Sequence, residues 1–344
     1  MDKILTIVIP TYNMEKYLEK CLSSLVLEDN GMMEKLEVLV INDGSKDRSS
    51  EIARSFQTRH PCTFRIIDKE NGNYGSCINR GLKEAKGTYI KVLDADDSFN
   101  TEGLYLLLKT LTLEKVDLLL SDFVTLVEGK EQEKLHKMDL PANKVLKFED
   151  YIDRYDILVF QMHAVTYRTD ILRRLSYSQS EGVSYTDQEW IFAPLALVDK
   201  FIYMNSVVYK YLLGRAGQTV DNVFRKRKMG DEVVVNKKII SDYKTIQSLM
   251  SQKKSEYMKK KLMFRLTDFY FINLVTFNDP SSKSVNEMEE YLMNNEPYIY
   301  SELNDVVISR RLNYHFINEW RKNKKVSYII LLLYKTMHLI RGLK

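Results

Sequence analysis

The chain is poor in the residues that mark out special classes of protein. Only three of its 344 residues are cysteine: Cys21, Cys62 and Cys77. The count is odd, and no CxxC or Cys/His ligand spacing occurs. A disulfide framework and a structural zinc site are therefore excluded, and the thiols read as reduced core or near-core groups of a cytosolic protein. Proline (6) and glycine (13) are scarce against usual shares of about 5% and about 7%. That excludes collagen-like, low-complexity and Pro-rich linker architectures and favours long regular elements. No uncharged apolar run reaches membrane-spanning length, so a polytopic membrane protein is excluded. The opening Met1-Asp2-Lys3 followed by Ile4–Ile9 is too short for a signal sequence and has no small-residue cleavage site. A cytoplasmic location is the expectation.

What is present is an ordinary globular composition, 44% hydrophobic and 28% charged, on a length that suits about two domains. The net charge of +4 hides an asymmetry. From Val220 onward 23 Lys/Arg stand against 14 Asp/Glu, so the first part of the chain is acidic and the last part basic. Two units with different partners are implied, divided near residue 220: 1–220 and 221–344.

Short apolar runs alternate with helical periodicity in the first 125 residues. Ile4–Ile9, Leu36–Ile41, Thr63–Ile67, Tyr89–Leu93 and Asp117–Phe123 read as strands, with Pro10 ending the first. Between them, Asn13 is placed to cap a helix through Leu25, and Ser49–Phe56, Ser76–Ala85 and Asn100–Leu113 read as helices. Strand–helix alternation of this kind predicts an α/β fold: a mostly parallel, Rossmann-like sheet with helices on both faces. Residues 128–150 read as loop-rich, 160–212 as mixed short elements, and the chain beyond Val223 as a mainly helical domain.

In a doubly wound sheet, ligands bind beyond the carboxyl ends of the strands. There the sequence places Asp94-Ala95-Asp96-Asp97 directly after the fourth strand. Three carboxylates at the end of an apolar strand cannot all be buried unpaired. A hard divalent cation, Mn²⁺ or Mg²⁺, shared with a ligand's phosphates, is their natural neutraliser. The loop Asp68–Gly75 is neither a Walker A loop nor a GxGxxG turn.

Residues 4–25, 37–49 and 69–97, in that order, resemble the family 2 glycosyltransferases of GT-A fold, over about residues 1–125. Within that family the chain looks most like bacterial enzymes that build cell-surface polysaccharide. The resemblance implies a nucleotide-diphosphate sugar, most often UDP-linked, in the sheet crevice, beside Pro10 and Ala95 of the two strand-end motifs. Tyr12 offers a ring for a uracil to stack on. Asp43 can accept from the base or a ribose hydroxyl, although Asn42 stands where the family often has a second Asp. Asp94 would hold the ribose or assist the metal, and Asp96 would ligate it. Lys69 is placed to approach the diphosphate, and Gly72 and Gly75 would permit close backbone approach.

Inverting transfer needs a carboxylate to take the acceptor proton. The resemblance assigns it to Asp187 within Glu181–Trp190, where Thr186 replaces the family's Glu; Asp187 also reads as the cap of a helix through Leu195, and Glu189 competes for the role. Trp190 and His163 are weaker acceptor-side candidates: Trp190 reads equally as core, and His163 reads more readily as a satisfied core histidine. Arg215, in the stretch Tyr211–Thr219, would stabilise the leaving group. Lys335, His338, Arg341 and Lys344 recur along a basic amphipathic C-terminal segment. It fits peripheral contact with the inner face of the cell membrane, or packing on the protein or in a homodimer. No nucleic-acid-binding motif is present. A sugar nucleotidyltransferase would need a Gly-rich basic loop after the first strand, which Pro10-Thr11-Tyr12-Asn13 is not. A non-catalytic nucleotide-sugar-binding or scaffold subunit is the remaining alternative.

Overall fold

A computed structural model describes residues 2–215, 218, 222–307, 314–328 and 330–332. The chain begins with β1 (Leu5–Thr11), α1 (Leu18–Ser23), α2 (Asn30–Lys35), β2 (Leu36–Asn42), α3 (Ser49–Arg59), β3 (Phe64–Asp68), α4 (Asn73–Glu84) and β4 (Tyr89–Val92). These strands pair in parallel in the order β3-β2-β1-β4. Every residue of β1, β2 and β4 is buried, which is why they read as continuous apolar runs. Pro10 lies inside β1, opposite Ile41, and does not end it. The neighbouring β4 pairs only as far as Val8, so no ladder bond needs the proline nitrogen.

Beyond β4 come β5 (Ser98–Phe99), α5 (Thr101–Leu113), β6 (Leu118–Val127), β7 (Glu133–His136) and β8 (Val145–Lys147). They are followed by α6 (Tyr155–Val159), β9 (Val165–Arg168), α7 (Thr169–Arg174), α8 (Asp187–Trp190) and β10 (Lys200–Leu213). Here the expectation of a mostly parallel sheet gives way to a mixed one. The full order is β3-β2-β1-β4-β9-β6-β10-β5, with β9 antiparallel to both β4 and β6. The Arg168 ion pair with Asp117 at 2.8 Å holds β9 in that slot. The segment read as short mixed elements contains the longest strand, β10, which runs parallel to β6 along its whole length and bulges near Met204–Val207. The region 128–150 carries two short edge strands, β7 and β8.

Asn13 caps nothing. It takes a positive φ of 52°, a conformation Asn tolerates, and its side chain accepts from Lys46 N–H at 2.8 Å, tying the β1 and β2 loops together. Asn100 does cap α5, accepting from Gly103 N–H at 2.9 Å. Cys21 and Cys77 are buried, but Cys62 is exposed and is no core thiol.

The helical part comprises α9 (Asn222–Arg227), α10 (Met229–Ile246), α11 (Gln252–Phe271), α12 (Lys283–Asn295), α13 (Pro297–Glu302) and α14 (Phe316–Asn323). The expected boundary near 220 and much of the basic C-terminal pattern, Lys335 to Lys344, lie outside the described residues. Among the described residues no helix is long and apolar enough to cross a membrane. Glu289 joins two of the helices, receiving the Tyr270 hydroxyl at 2.5 Å and pairing with Arg321 at 2.7 Å.

Helix α11 is fastened to the sheet domain through main-chain carbonyls. Lys254 donates to Val198 O at 2.8 Å, Tyr257 to Ile157 O at 2.8 Å and Lys261 to Leu158 O at 2.6 Å. These donors recur on one helical face, and two of the carbonyls belong to the last turn of α6, where no intrahelical partner exists. Loss of the tyrosine hydroxyl would strand a buried carbonyl. Tyr257→Phe is therefore expected to lower the unfolding free energy by about 1–2 kcal/mol without changing the urea m-value, as measured by equilibrium urea denaturation.

Candidate active site

The carboxyl ends of β1, β2 and β4 converge on one face, and the loop after β4 carries the acidic cluster. Asp97 is buried and belongs to the scaffold: it accepts from Tyr209 Oη at 2.6 Å and from Leu212 N–H at 2.7 Å, both on β10. Asp94 accepts from the Tyr74 hydroxyl at 2.8 Å, and its own N–H donates to Tyr209 Oη at 3.1 Å. Burial, reinforced by the neighbouring carboxylates, pushes the carboxyls of Asp94 and Asp97 above the usual range. Asp96 forms an ion pair with Arg215 and also receives the Gln218 amide at 3.3 Å. Arg215 thus lies against the acidic cluster.

The donor atoms of Asp94, Asp97 and His163 lie within 4.8 Å of one another, so carboxylate oxygens suited to Mg²⁺ or Mn²⁺ do converge here. Asp96, the expected principal ligand, is not in that group because its carboxylate faces Arg215. His163 is nearly buried in an aromatic box, stacked on Tyr211 at 4.2 Å and edge-on to Tyr209 at 4.7 Å. Burial holds its pKa down to about 3, so the ring is neutral, and its Nδ1 has no hydrogen-bond partner among the described residues. Lys91, fully buried in β4 with its pKa pulled down to about 7, donates to the carbonyls of His163 and Val165 at 2.7 and 3.0 Å.

A second cleft of about 490 Å³ opens beside Tyr12, lined also by Gly44, Lys46, Asp68, Lys69, Glu70 and Asn71. The Tyr12 ring is 48% exposed there, available for stacking. Asp43 is almost fully buried and already holds the β3–α4 loop: it accepts from Gly72 N–H and Asn73 N–H, both at 2.9 Å, and from Lys69 at 2.5 Å. Lys69 also donates to Ser76 Oγ at 2.9 Å, so its ammonium clamps Asp43 at the wall of that cleft. A Cβ on Gly75 would lie 2.0 Å from Ser180 O, so only glycine lets α4 meet the segment that leads to Asp187. Gly72 is packed more softly, against the Ser76 and Lys69 side chains. Pro10 and Ala95 are buried beside these loops.

Asp187 opens the one-turn helix α8 and is not the cap of a helix through Leu195. Tyr185, two residues earlier, takes a φ of 66°, an outlier for an aromatic residue and a conformation associated with functional sites. Asp187 lines a cavity of about 650 Å³ together with Asp94, Tyr74, His163 and Tyr211. Burial pushes its carboxyl upward, and its Oδ2 accepts from the Gln188 amide at 2.9 Å. The competing Glu189 is fully buried and accepts from Ser180 N–H at 2.8 Å, a scaffold role. Trp190 is 1% exposed and packs edge-on against Tyr167 and Tyr177, so it is core and no wall of the cavity.

The opposite wall carries no local sequence signal. Lys261, Phe264, Arg265 and Asp268 of α11 and Arg225 of α9 line the same cavity as Asp187. Their spacing reads as an ordinary solvated helical face, and nothing local marks them. Tyr74 does carry a local signal, its place between Gly72 and Gly75.

A mixed sheet with an acidic loop at its carboxyl edge and helices on both faces defines a GT-A fold. The chain belongs to glycosyl transferase family 2, whose profile matches residues 6–176. It is similar to the glycosyltransferase EpsJ of Bacillus subtilis, with 26% identity over 54% of each chain. The match thus spans about half the length of that relative. The MG060 homolog of Mycoplasma pneumoniae, also named a glycosyltransferase, is 28% identical over 78% of this chain and 89% of its own. Among solved structures, S. aureus TarS 1–349 in complex with UDP-GlcNAc matches with a TM-score of 0.66, 18% identity, and coverage of 94% of this chain and 92% of that one. At that identity the likeness shows the fold.

A native carboxyl that keeps its proton to higher pH than the unfolded chain makes stability fall as pH rises above the ordinary value of 3.8. Asp94→Asn is therefore expected to raise the melting temperature of the metal-free protein at pH 8, with the gain shrinking toward pH 4. Thermal melts in chelator across that range check this; a gain independent of pH would contradict it.

Proposed function

We propose that the protein is an inverting, metal-dependent glycosyltransferase. It moves a sugar from a nucleotide-diphosphate donor, a UDP-sugar, to a saccharide or lipid-linked saccharide acceptor in cell-surface polysaccharide synthesis. The observation that carries this reading is the placement of Asp94 and Asp187 on the walls of one cavity, with Arg215 and Asp96 at the adjoining loop. The names of the relatives and the UDP-GlcNAc bound by TarS support the donor class.

The exposed Tyr12 ring stacks the base. Three donors already meet Asp43, but a carboxylate offers about four lone-pair sites, so it still accepts from base or ribose. Asp94, joined by Asp96 once Arg215 leaves it, would hold Mn²⁺ or Mg²⁺, which would supply neutralising charge to the leaving diphosphate. Arg215 turns from Asp96 toward the same phosphates and stabilises the departing nucleotide. Asp187 takes the proton of the attacking acceptor hydroxyl. Its buried setting raises its basicity, and the Gln188 amide fixes its orientation. Action at the inner face of the cell membrane agrees with the basic charge of the last 125 residues.

Calorimetry with UDP, GDP and CMP, with and without Mn²⁺, tests the donor site. Mn²⁺-dependent UDP binding that Asp96→Ala abolishes is expected; failure of every nucleotide to bind the folded protein would leave a scaffold subunit as the reading. Asp187→Asn is expected to lower transfer by about 10²-fold or more while UDP binding persists. An active Asp187→Asn protein would remove Asp187 as the base.

A further inference from the structure

We propose that helix α11 supplies the acceptor subsite, and that Phe264 is the platform on which the acceptor's sugar ring lies; this rests on the reading of Asp187 as the base. Phe264, Arg265 and Asp268 line the Asp187 cavity from the helix face that continues the Lys254–Tyr257–Lys261 row. Those three anchors, the last of them Lys261 on the cavity wall itself, fix α11 to the sheet domain, so the wall is held in place before any ligand arrives.

Phe264 lines the cavity and is 46% exposed, so about half of its side chain is open to solvent. Arg265 is held in a fixed pose behind it, pairing with the fully buried Glu232 at 2.8 Å and donating to Asn236 Oδ1 at 3.0 Å. Asp268 lies 3.7 Å from the Arg225 guanidinium, which Glu232 also anchors, at 2.8 Å. The lining therefore combines an open aromatic ring with planar, pre-oriented hydrogen-bonding groups, and Gln161 and Gln188 add amides. A pyranose matches that combination, having apolar C–H faces and a belt of hydroxyls. An acyl chain does not, because it offers no hydrogen-bonding group to the amides and charged side chains that line the cavity. The cavity, about 650 Å³, is of small-ligand size.

The test uses methyl β-D-glucopyranoside, methyl β-D-galactopyranoside and methyl N-acetyl-β-D-glucosaminide as probes. Their binding to the full chain is followed by saturation-transfer NMR, in the presence of UDP and Mn²⁺. At least one glycoside is expected to bind with saturation concentrated on its ring C–H protons. Phe264→Ala is expected to weaken that binding about tenfold, and Phe264→Tyr to retain it. The UDP dissociation constant and the melting temperature stay at wild-type values, since the side chain is half-exposed. Glycoside binding unaffected by Phe264→Ala, or no glycoside bound by a protein that binds UDP, overturns the subsite. Glycoside binding that depends on Phe264 in a protein that binds no nucleotide sustains the subsite and instead overturns the donor reading above.

Discussion

The molecule is organised around carboxylates that repel one another at the end of β4. Asp94, Asp96 and Asp97 fall within four residues and sit largely out of water, a costly arrangement unless each finds a partner. The partners come from elsewhere in the chain. Tyr209 and the Leu212 N–H of β10 hold Asp97, Tyr74 of α4 holds Asp94, and Arg215 beyond β10 pairs with Asp96. The long β10 strand is therefore a strap across the site as well as a sheet element. Its register against β6 decides which donors reach the cluster.

The same economy of contacts joins the two halves of the chain. Helix α11 meets the sheet domain with lysine and tyrosine side chains that satisfy main-chain carbonyls, including the open last turn of α6. Burying a lysine is tolerable because each ammonium finds a carbonyl at hydrogen-bond distance, and burial lowers the Lys261 pKa to about 7. Glu232, without any exposure, does the reverse for Arg225 and Arg265. The cavity wall is thereby built from both halves.

Much of the sheet and of the loops at its carboxyl edge was legible in the sequence. The strands carry unbroken apolar runs, the loops after them carry the polar motifs, and both signals are local. The departures have physical reasons. Pro10 stays in its strand because β4 stops short of it. Trp190 is core because β9 brings Tyr167 against it. The antiparallel insertion of β9 was not legible, since a four-residue strand after a long excursion leaves no periodic trace.

By itself the sequence determined the alternation of strands and helices, the family, and the acidic loop at the sheet's carboxyl edge. These depend on residues adjacent along the chain, where periodicity and turn chemistry act directly. Tertiary structure alone decided which carboxylate is scaffold and which faces the cavity, and that α11 closes the wall opposite Asp187. Those outcomes depend on long-range register: Tyr209 lies 112 residues beyond Asp97, and no local pattern fixes that meeting.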